Sequence, residues 1–251
     1  MTNMNSVQPT SSAAPQGHGT SSAALWAGAL SIVQGLLIFV PMIVLGAAIN
    51  WPESLSDPAA VALPRLLENE SAVRLGYVAY LVYSILFAVT MILLLRFANS
   101  RRAIGLGALI AGFAVASTVA RSIGISRWLV PAPDLANAYA AAPTETERVA
   151  IAVVFDSLNS FGGTIGEILG VSIFAGLSIG FLAIAALKAR ALPVWLGVFA
   201  LVAAIGVLTS AVELLGVDAS SLIFFGTTVV QLWFLAVGGW LLTRGRKYVS
   251  A

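Results

Sequence analysis

Three ionisable residues stand in otherwise apolar surroundings: Arg121, Glu167 and Glu213. Arg121 lies 19 residues past Arg102, Glu213 lies 21 past Leu192, and Glu167 lies 21 before Lys188. On helices rising 1.5 Å per residue, all three reach one level, roughly 28–32 Å from a common boundary. A charge at mid-bilayer costs about 2.5–3.5 kcal/mol on insertion scales, so charges near the bilayer edge still seek partners. One cation between two carboxylates from three helices has two readings. It is an ion pair that ties the bundle together, or it is the wall of a solvated pocket for a charged or polar ligand arriving from outside. A proton or ion relay fits less well, because the middle and inner parts of the apolar stretches hold no ionisable residue to continue a path.

Other polar groups gather at the same level. Asp156, Asn159, Ser160, Gly163, Glu167 and Gly170 recur at intervals of three, four and seven, which predicts one helical stripe pointing away from lipid. Arg74, Tyr77, Tyr80 and Ser84 descend a second helix, with Tyr83 beside them. Tyrosines there serve as interface-belt residues, or their phenols finish a pocket wall. The candidate ligand-binding set is therefore Arg121, Glu167, Glu213, Tyr77, Tyr80, Asp156 and Asn159. Gln34 and Gln231, deeper in the apolar stretches, are expected to bridge helices by hydrogen bonds. Thr209 and Ser210 are expected to bond backbone carbonyls.

Composition says what must hold these residues. Of 251 residues, 59% are hydrophobic and 10% charged, and mean hydropathy is +0.95. A soluble domain carries about 25% charge, so the chain reads as a multi-spanning membrane protein. There is no cysteine, one histidine (His18), and lysine only at positions 188 and 247. Disulfides, thiolate or Ser-His nucleophiles, histidine-ligated haem and a buried Schiff-base lysine all fail on residue type. No GxxxxGK[ST] loop occurs, and the basic residues sit where membrane topology wants them rather than in a nucleic-acid patch. The expectation is no cofactor, no metal, no nucleic acid and no enzyme.

Six apolar stretches of spanning length follow a polar segment 1–22 that composition assigns to a disordered tail. They cover 24–49, 75–96, 103–125, 163–187, 192–215 and 220–242 within a bundle at 23–245, with a second short tail at 246–251. One side of the bundle carries Arg96, Arg101, Arg102, Lys188, Arg190, Arg244, Arg246 and Lys247 without an acid. The other carries Arg65, Arg74, Arg127 and Arg148 against Glu53, Asp57, Glu68, Glu70, Asp134, Glu145, Glu147 and Asp218. The positive-inside rule then puts both termini in the cytoplasm of a cell whose inner membrane the protein spans. Trp26, Trp195 and Trp240 fall near one interface and Trp51 and Trp128 near the other, with Trp233 deeper. The outer loops 50–73 and 126–162 are long enough to pack into a small extracytoplasmic cap. In the first, a short helix is expected to be interrupted at Pro64. In the second, Thr144 to Glu147 is a capping box opening a helix that runs to about residue 187 and bends at Gly162-Gly163. Residues 104–125 also overlay 196–217 without gaps, with Arg121 on Glu213, as a parallel hairpin duplication would give.

Four strings carry a resemblance: AsnTrpProGluSer at 50–54, ValArgLeuGlyTyr at 73–77, the run 155–172 with its AspSerLeuAsnSer and GlyGlu elements, and ValGluLeuLeuGlyVal at 212–217. Over 24–245 the chain is similar to a bacterial family of integral membrane proteins catalogued as a domain of unknown function. The resemblance implies a helical bundle in a bacterial inner membrane. It brings no activity, but its motifs include Arg74, Tyr77, Asp156, Asn159, Glu167 and Glu213.

The resulting expectation is an all-α, six-span transmembrane bundle, N-in and C-in, with an outer cap. Its polar and aromatic pocket opens outward, and its role is ligand binding or transport. The alternative is an accessory or scaffold subunit without a ligand site, which would set Gly166 and Gly170 against a membrane-protein partner or a second copy.

Overall fold

The computed structural model describes residues 19–98, 105–217 and 219–244. The segment 1–22 therefore falls mostly outside the described residues, and 246–251 entirely. So do Arg101, Arg102, Asp218, Arg246 and Lys247, which entered the charge count. The first helix starts at Gly19, inside the segment that composition assigns to disorder.

Every regular element among the described residues is helical. Six stretches are long and apolar enough to cross a bilayer: Ser22–Ile49, Glu70–Phe97, Leu106–Ala141, Glu145–Ala189, Val194–Leu215 and Leu222–Thr243. Residues facing acyl chains need no polar cover, which is why Ile43, Leu75, Val119, Ile205 and Phe225 stay exposed.

The first stretch divides into α1 (Gly19–Leu37) and α2 (Phe39–Ile49). Pro41 explains the break: it lacks an N–H and its ring crowds the carbonyl of Leu37 four residues back. The two pieces then part company. α1 packs along α10 (Ser220–Thr243), whereas α2 packs on α4 (Glu70–Ala98).

The cap is built from a 3-10 turn (Glu53–Ser56), α3 (Ala59–Glu68), α6 (Pro131–Ala141) and the start of α7 (Glu145–Gly163). Leu63, Leu66, Ala132, Ala136 and Phe155 make its core, continuous with Tyr77 and Ile125 of the bundle below. Asp57 accepts a 2.7 Å bond from Arg65, whose guanidinium also bonds the Ile49 carbonyl and so ties α3 to the end of α2. α3 runs through Pro64 without interruption. Pro64 and Ala60 both lie on its exposed face, so the carbonyl that Pro64 leaves unbonded points away from the core, while Leu63 and Leu66 hold the helix down. Trp128, expected in an interfacial belt, is instead buried, stacked on Tyr77 at 5.2 Å and edge-on to Phe155 at 6.0 Å.

Thr144 caps α7 by accepting the Glu147 N–H. From Glu145 the helix continues to Ala189 without a break, and beside the Gly162-Gly163 pair, where a bend is expected, its winding changes. After Gly163 it opens into a twelve-residue π-helix (Thr164–Ala175) before closing again as α8 (Gly176–Ala189). A π turn takes in an extra residue and marks functional or strained positions more often than ordinary ones. Here it lies against α5 (Leu106–Leu129), where the two backbones nearly touch. A methyl on Gly124 would stand 2.7 Å from the Gly166 Cα, and one on Gly170 would stand 3.1 Å from the Arg121 backbone nitrogen. Ser117 Oγ donates to the Gly170 carbonyl across this seam at 2.8 Å. Gly166 and Gly170 thus pack inside the chain against α5. The overlay of 104–125 on 196–217 meets a difference in winding: α5 stays α-helical past Arg121, whereas α9 (Val194–Leu208) gives way to a 3-10 turn (Thr209–Leu215) that carries Glu213.

The seam predicts opposite effects for two glycines of one helix. Gly124→Ala meets backbone that cannot step aside and should cost about 1–3 kcal/mol. Gly112→Ala meets open space and should leave stability unchanged or raised by up to about 1 kcal/mol through helix propensity. Melting of the purified variants in one detergent checks the pair.

Candidate functional site

Between the bundle and the cap lies a cavity of about 1030 Å³. Its wall draws on α4 (Tyr77, Tyr80, Tyr83), α5 (Arg121, Arg127), the π-helix (Glu167), the 3-10 turn after α9 (Glu213) and α10 (Gln231). The cap contributes Trp51, Glu53 and Leu55 as a roof. Five of the seven residues expected from sequence line it: Arg121, Glu167, Glu213, Tyr77 and Tyr80.

The expected ion cluster does not form as drawn. Among the described residues, Glu167 is held by Arg127, at 3.2 Å, and Arg121 has no ion pair with either Glu167 or Glu213. The partner of Glu167 is Arg127 rather than Arg121, and side-chain direction explains why. The contacts of Gly170 put the Arg121 backbone within one turn of Glu167 along the seam. Long helical side chains, however, lean over the turn N-terminal to their own Cα. Arg127 therefore drops to the level of Glu167, while Arg121 leans past it and away from the cap.

Arg127 is bonded through each of its three side-chain nitrogens. Its Nη1 donates to the Gly124 carbonyl at 2.9 Å, Nε to Asn159 Oδ1 at 3.2 Å, and Nη2 to Glu167. Trp128 lies under its guanidinium at 5.5 Å. Asn159 does not line the cavity but orders it from behind: its amide nitrogen donates to the Leu55 carbonyl at 2.8 Å. Roof, Asn159, Arg127 and Glu167 form one chain of bonds. Sequence reasoning counted Arg127 among the outer surface charges and missed this role. Its spacing from Arg121, six residues with a glycine three before it, was the available signal.

Arg121 is only 4% exposed. Its guanidinium carbon lies 4.7 Å from the Tyr83 ring and 5.7 Å from the rings of Tyr80 and Phe87. Its Nε has no hydrogen-bond partner among the described residues. Tyr83 is fixed from the other side, since its hydroxyl accepts a 2.7 Å bond from Gln231. Gln231 thereby bridges α10 to α4 as expected. Gln34 does not bridge: both its polar atoms are buried without a partner among the described residues. The Tyr77 hydroxyl is likewise buried and unbonded. Thr209 and Ser210 bond the carbonyls of Gly206 and Val207 as their types suggest.

Asp156 stands apart. It is exposed on α7 and takes no part in the cavity, and Ser160 is exposed too. The polar stripe splits because its upper part belongs to the cap, where facing solvent costs nothing, and because the winding changes after Gly163. Arg74 pairs with Glu70 at 2.9 Å on the exposed face of α4.

The two arginines should answer oppositely to removal of charge. Arg127→Met strands Glu167 and breaks three bonds, and should cost about 1–3 kcal/mol, moderated because Glu167 keeps partial exposure. Arg121→Met removes a buried cation without a carboxylate partner and should leave the melting temperature unchanged or raise it. Differential scanning fluorimetry of both variants decides the matter.

Comparison with curated proteins and with solved structures finds no match in either. The sequence profile of one family, described as a domain of unknown function (DUF4386), matches residues 21–245. That span takes in all six membrane-length helices, the cap and every residue of the cavity wall, so the chain belongs to the DUF4386 family of integral membrane proteins.

Proposed function

We propose that this membrane protein binds a small molecule in the cavity beneath its cap, as a receptor, carrier or transport component rather than an enzyme. One observation carries the reading. About 1030 Å³ of space is lined by two arginines, two carboxylates on helical spans, three tyrosines and a glutamine. Ligand sites have volumes of about 300–1,000 Å³, with apolar and aromatic walls and a few placed polar groups. Inside a spanning bundle, polar side chains without a task are costly. Absence of cysteine, and of histidine and lysine from the cavity wall, favours binding over catalysis.

The cap supports the same reading. Its Asn159–Arg127–Glu167 chain links roof to wall, so a bound molecule that touches Glu167 is coupled to the roof at Leu55. The side on which the cap lies follows from charge. Arg96, Lys188, Arg190 and Arg244 stand at the end away from it, and by the positive-inside rule that end is cytoplasmic in a bacterial inner membrane.

A melting screen on the purified protein tests binding. Val171 lines the cavity, and Val171→Trp should fill part of it. A ligand present at about 100 times its dissociation constant stabilises by about 2.7 kcal/mol, a shift of several degrees, and Val171→Trp should abolish that shift. Tyr77→Phe removes an unbonded buried hydroxyl, so it should weaken ligand binding without lowering the unliganded melting temperature. If a library spanning acids, bases and amphiphiles leaves the melting temperature unmoved, the protein is better read as a subunit of a larger membrane complex. For topology, a fluorescent reporter fused after Ala251 should be active and a periplasmic phosphatase reporter in the same place inactive.

A further inference from the structure

The cavity wall holds an imbalance. Glu167 is answered by Arg127, whereas Arg121 is buried with no carboxylate partner among the described residues. Three aromatic rings flank its guanidinium in cation–π contact. Ring faces accept no conventional hydrogen bond, and the guanidinium Nε is left unbonded among the described residues. A desolvated guanidinium facing open space is matched by an anion with oxygen acceptors. The other carboxylates on the wall do not supply it. Glu53 is exposed on the roof, and Glu213 is half-buried on the 3-10 turn without an ion pair among the described residues.

A second, independent observation concerns access. Because Pro41 parts α2 from α1, the wall between the first and sixth spans is made of Ile38, Phe39 and Met42 on one side and Ile223, Phe224 and Thr227 on the other. Phe39 and Phe224 are 46% and 57% exposed although both stand in spanning helices, so this mouth faces the bilayer. A hydrated ion gains nothing from such a route, but a molecule with an acyl or alkyl chain does.

We infer that the cavity takes an amphiphile with an acidic headgroup, its anionic oxygens seated on Arg121 and its chain passing between Phe39 and Phe224 into the bilayer. This deepens the binding reading above and rests on it. Carboxylate and phosphate headgroups share the required chemistry.

The test uses the full chain in phosphatidylcholine nanodiscs and four probes: dodecyl phosphate, dodecanol, dodecylammonium and methyl phosphate. Dodecyl phosphate should bind at least about tenfold more tightly than the other three. Arg121→Gln, with folding verified by melting, should erase the preference over dodecanol while dodecanol binding persists. Dodecyl phosphate carrying a terminal bromine should quench the added fluorescence of the Phe224→Trp variant, and Arg121→Gln in that background should move the quenching midpoint at least about tenfold higher, to that of the brominated alcohol. If dodecanol or dodecylammonium binds as tightly as dodecyl phosphate, or Arg121→Gln keeps the preference, the headgroup assignment is overturned and the cavity remains a binding site. If methyl phosphate matches dodecyl phosphate, or the bromine quenches nothing, the chain and its lateral route are overturned. If none of the four binds, the binding reading falls with the rest.

Discussion

The contact between α5 and the π-helical part of the fourth span sets the rest of the molecule. At Gly124, Gly166 and Gly170 the two backbones approach so closely that a Cβ has no room. Side chains on either edge of such a seam are pushed outward. Arg127 leaves it toward Glu167 and the cap, and Arg121 leaves it toward the three rings on α4. Two arginines six residues apart on one helix therefore meet different electrostatic environments: one bonded to three acceptors, the other set among aromatic faces at the cavity wall. The wider π turns sit where this contact is made, and the Ser117 bond to the Gly170 carbonyl holds the two segments in register across it.

Two further constraints turn the seam into a chamber. Pro41 prevents the first span from following α10 along its whole length, so the half nearer the cap leans onto α4 and leaves a gap. The roof over that gap is not a loose loop. Arg65 ties α3 to the end of α2, and Asn159 ties the 3-10 turn to Arg127. The cavity is thus the consequence of a broken helix, a close helix pair and a tethered cap, each with a local cause in the chain. A bundle of six straight helices with the same composition would close over its polar residues and force Arg121 to find a carboxylate.

Much of this was legible in order of residue types. Span number, the cap loops and the Thr144 cap all follow from local rules: apolar length and turn chemistry. Helical spacing alone misplaces Asp156, and depth alone misplaces Trp128. The first belongs to a part of α7 that leaves the bundle, and the second is drawn inward by the Tyr77 ring on another helix. Pro64 was read as a breaker because local propensity says so, but burial of its neighbours outweighed one lost hydrogen bond.

Residue order alone shows a chain built for a membrane, with six stretches of spanning length and a few polar residues near the cap end. Those follow from transfer free energies and helix geometry, which each segment carries without knowing its neighbours. Which arginine meets Glu167, and that Arg121 ends on a cavity wall without a carboxylate partner among the described residues, emerged only from the packing of the helices. Pairing depends on where side-chain tips go. Tips are set by azimuth, lean and helix contact, and these have no signature in spacing along one strand of text.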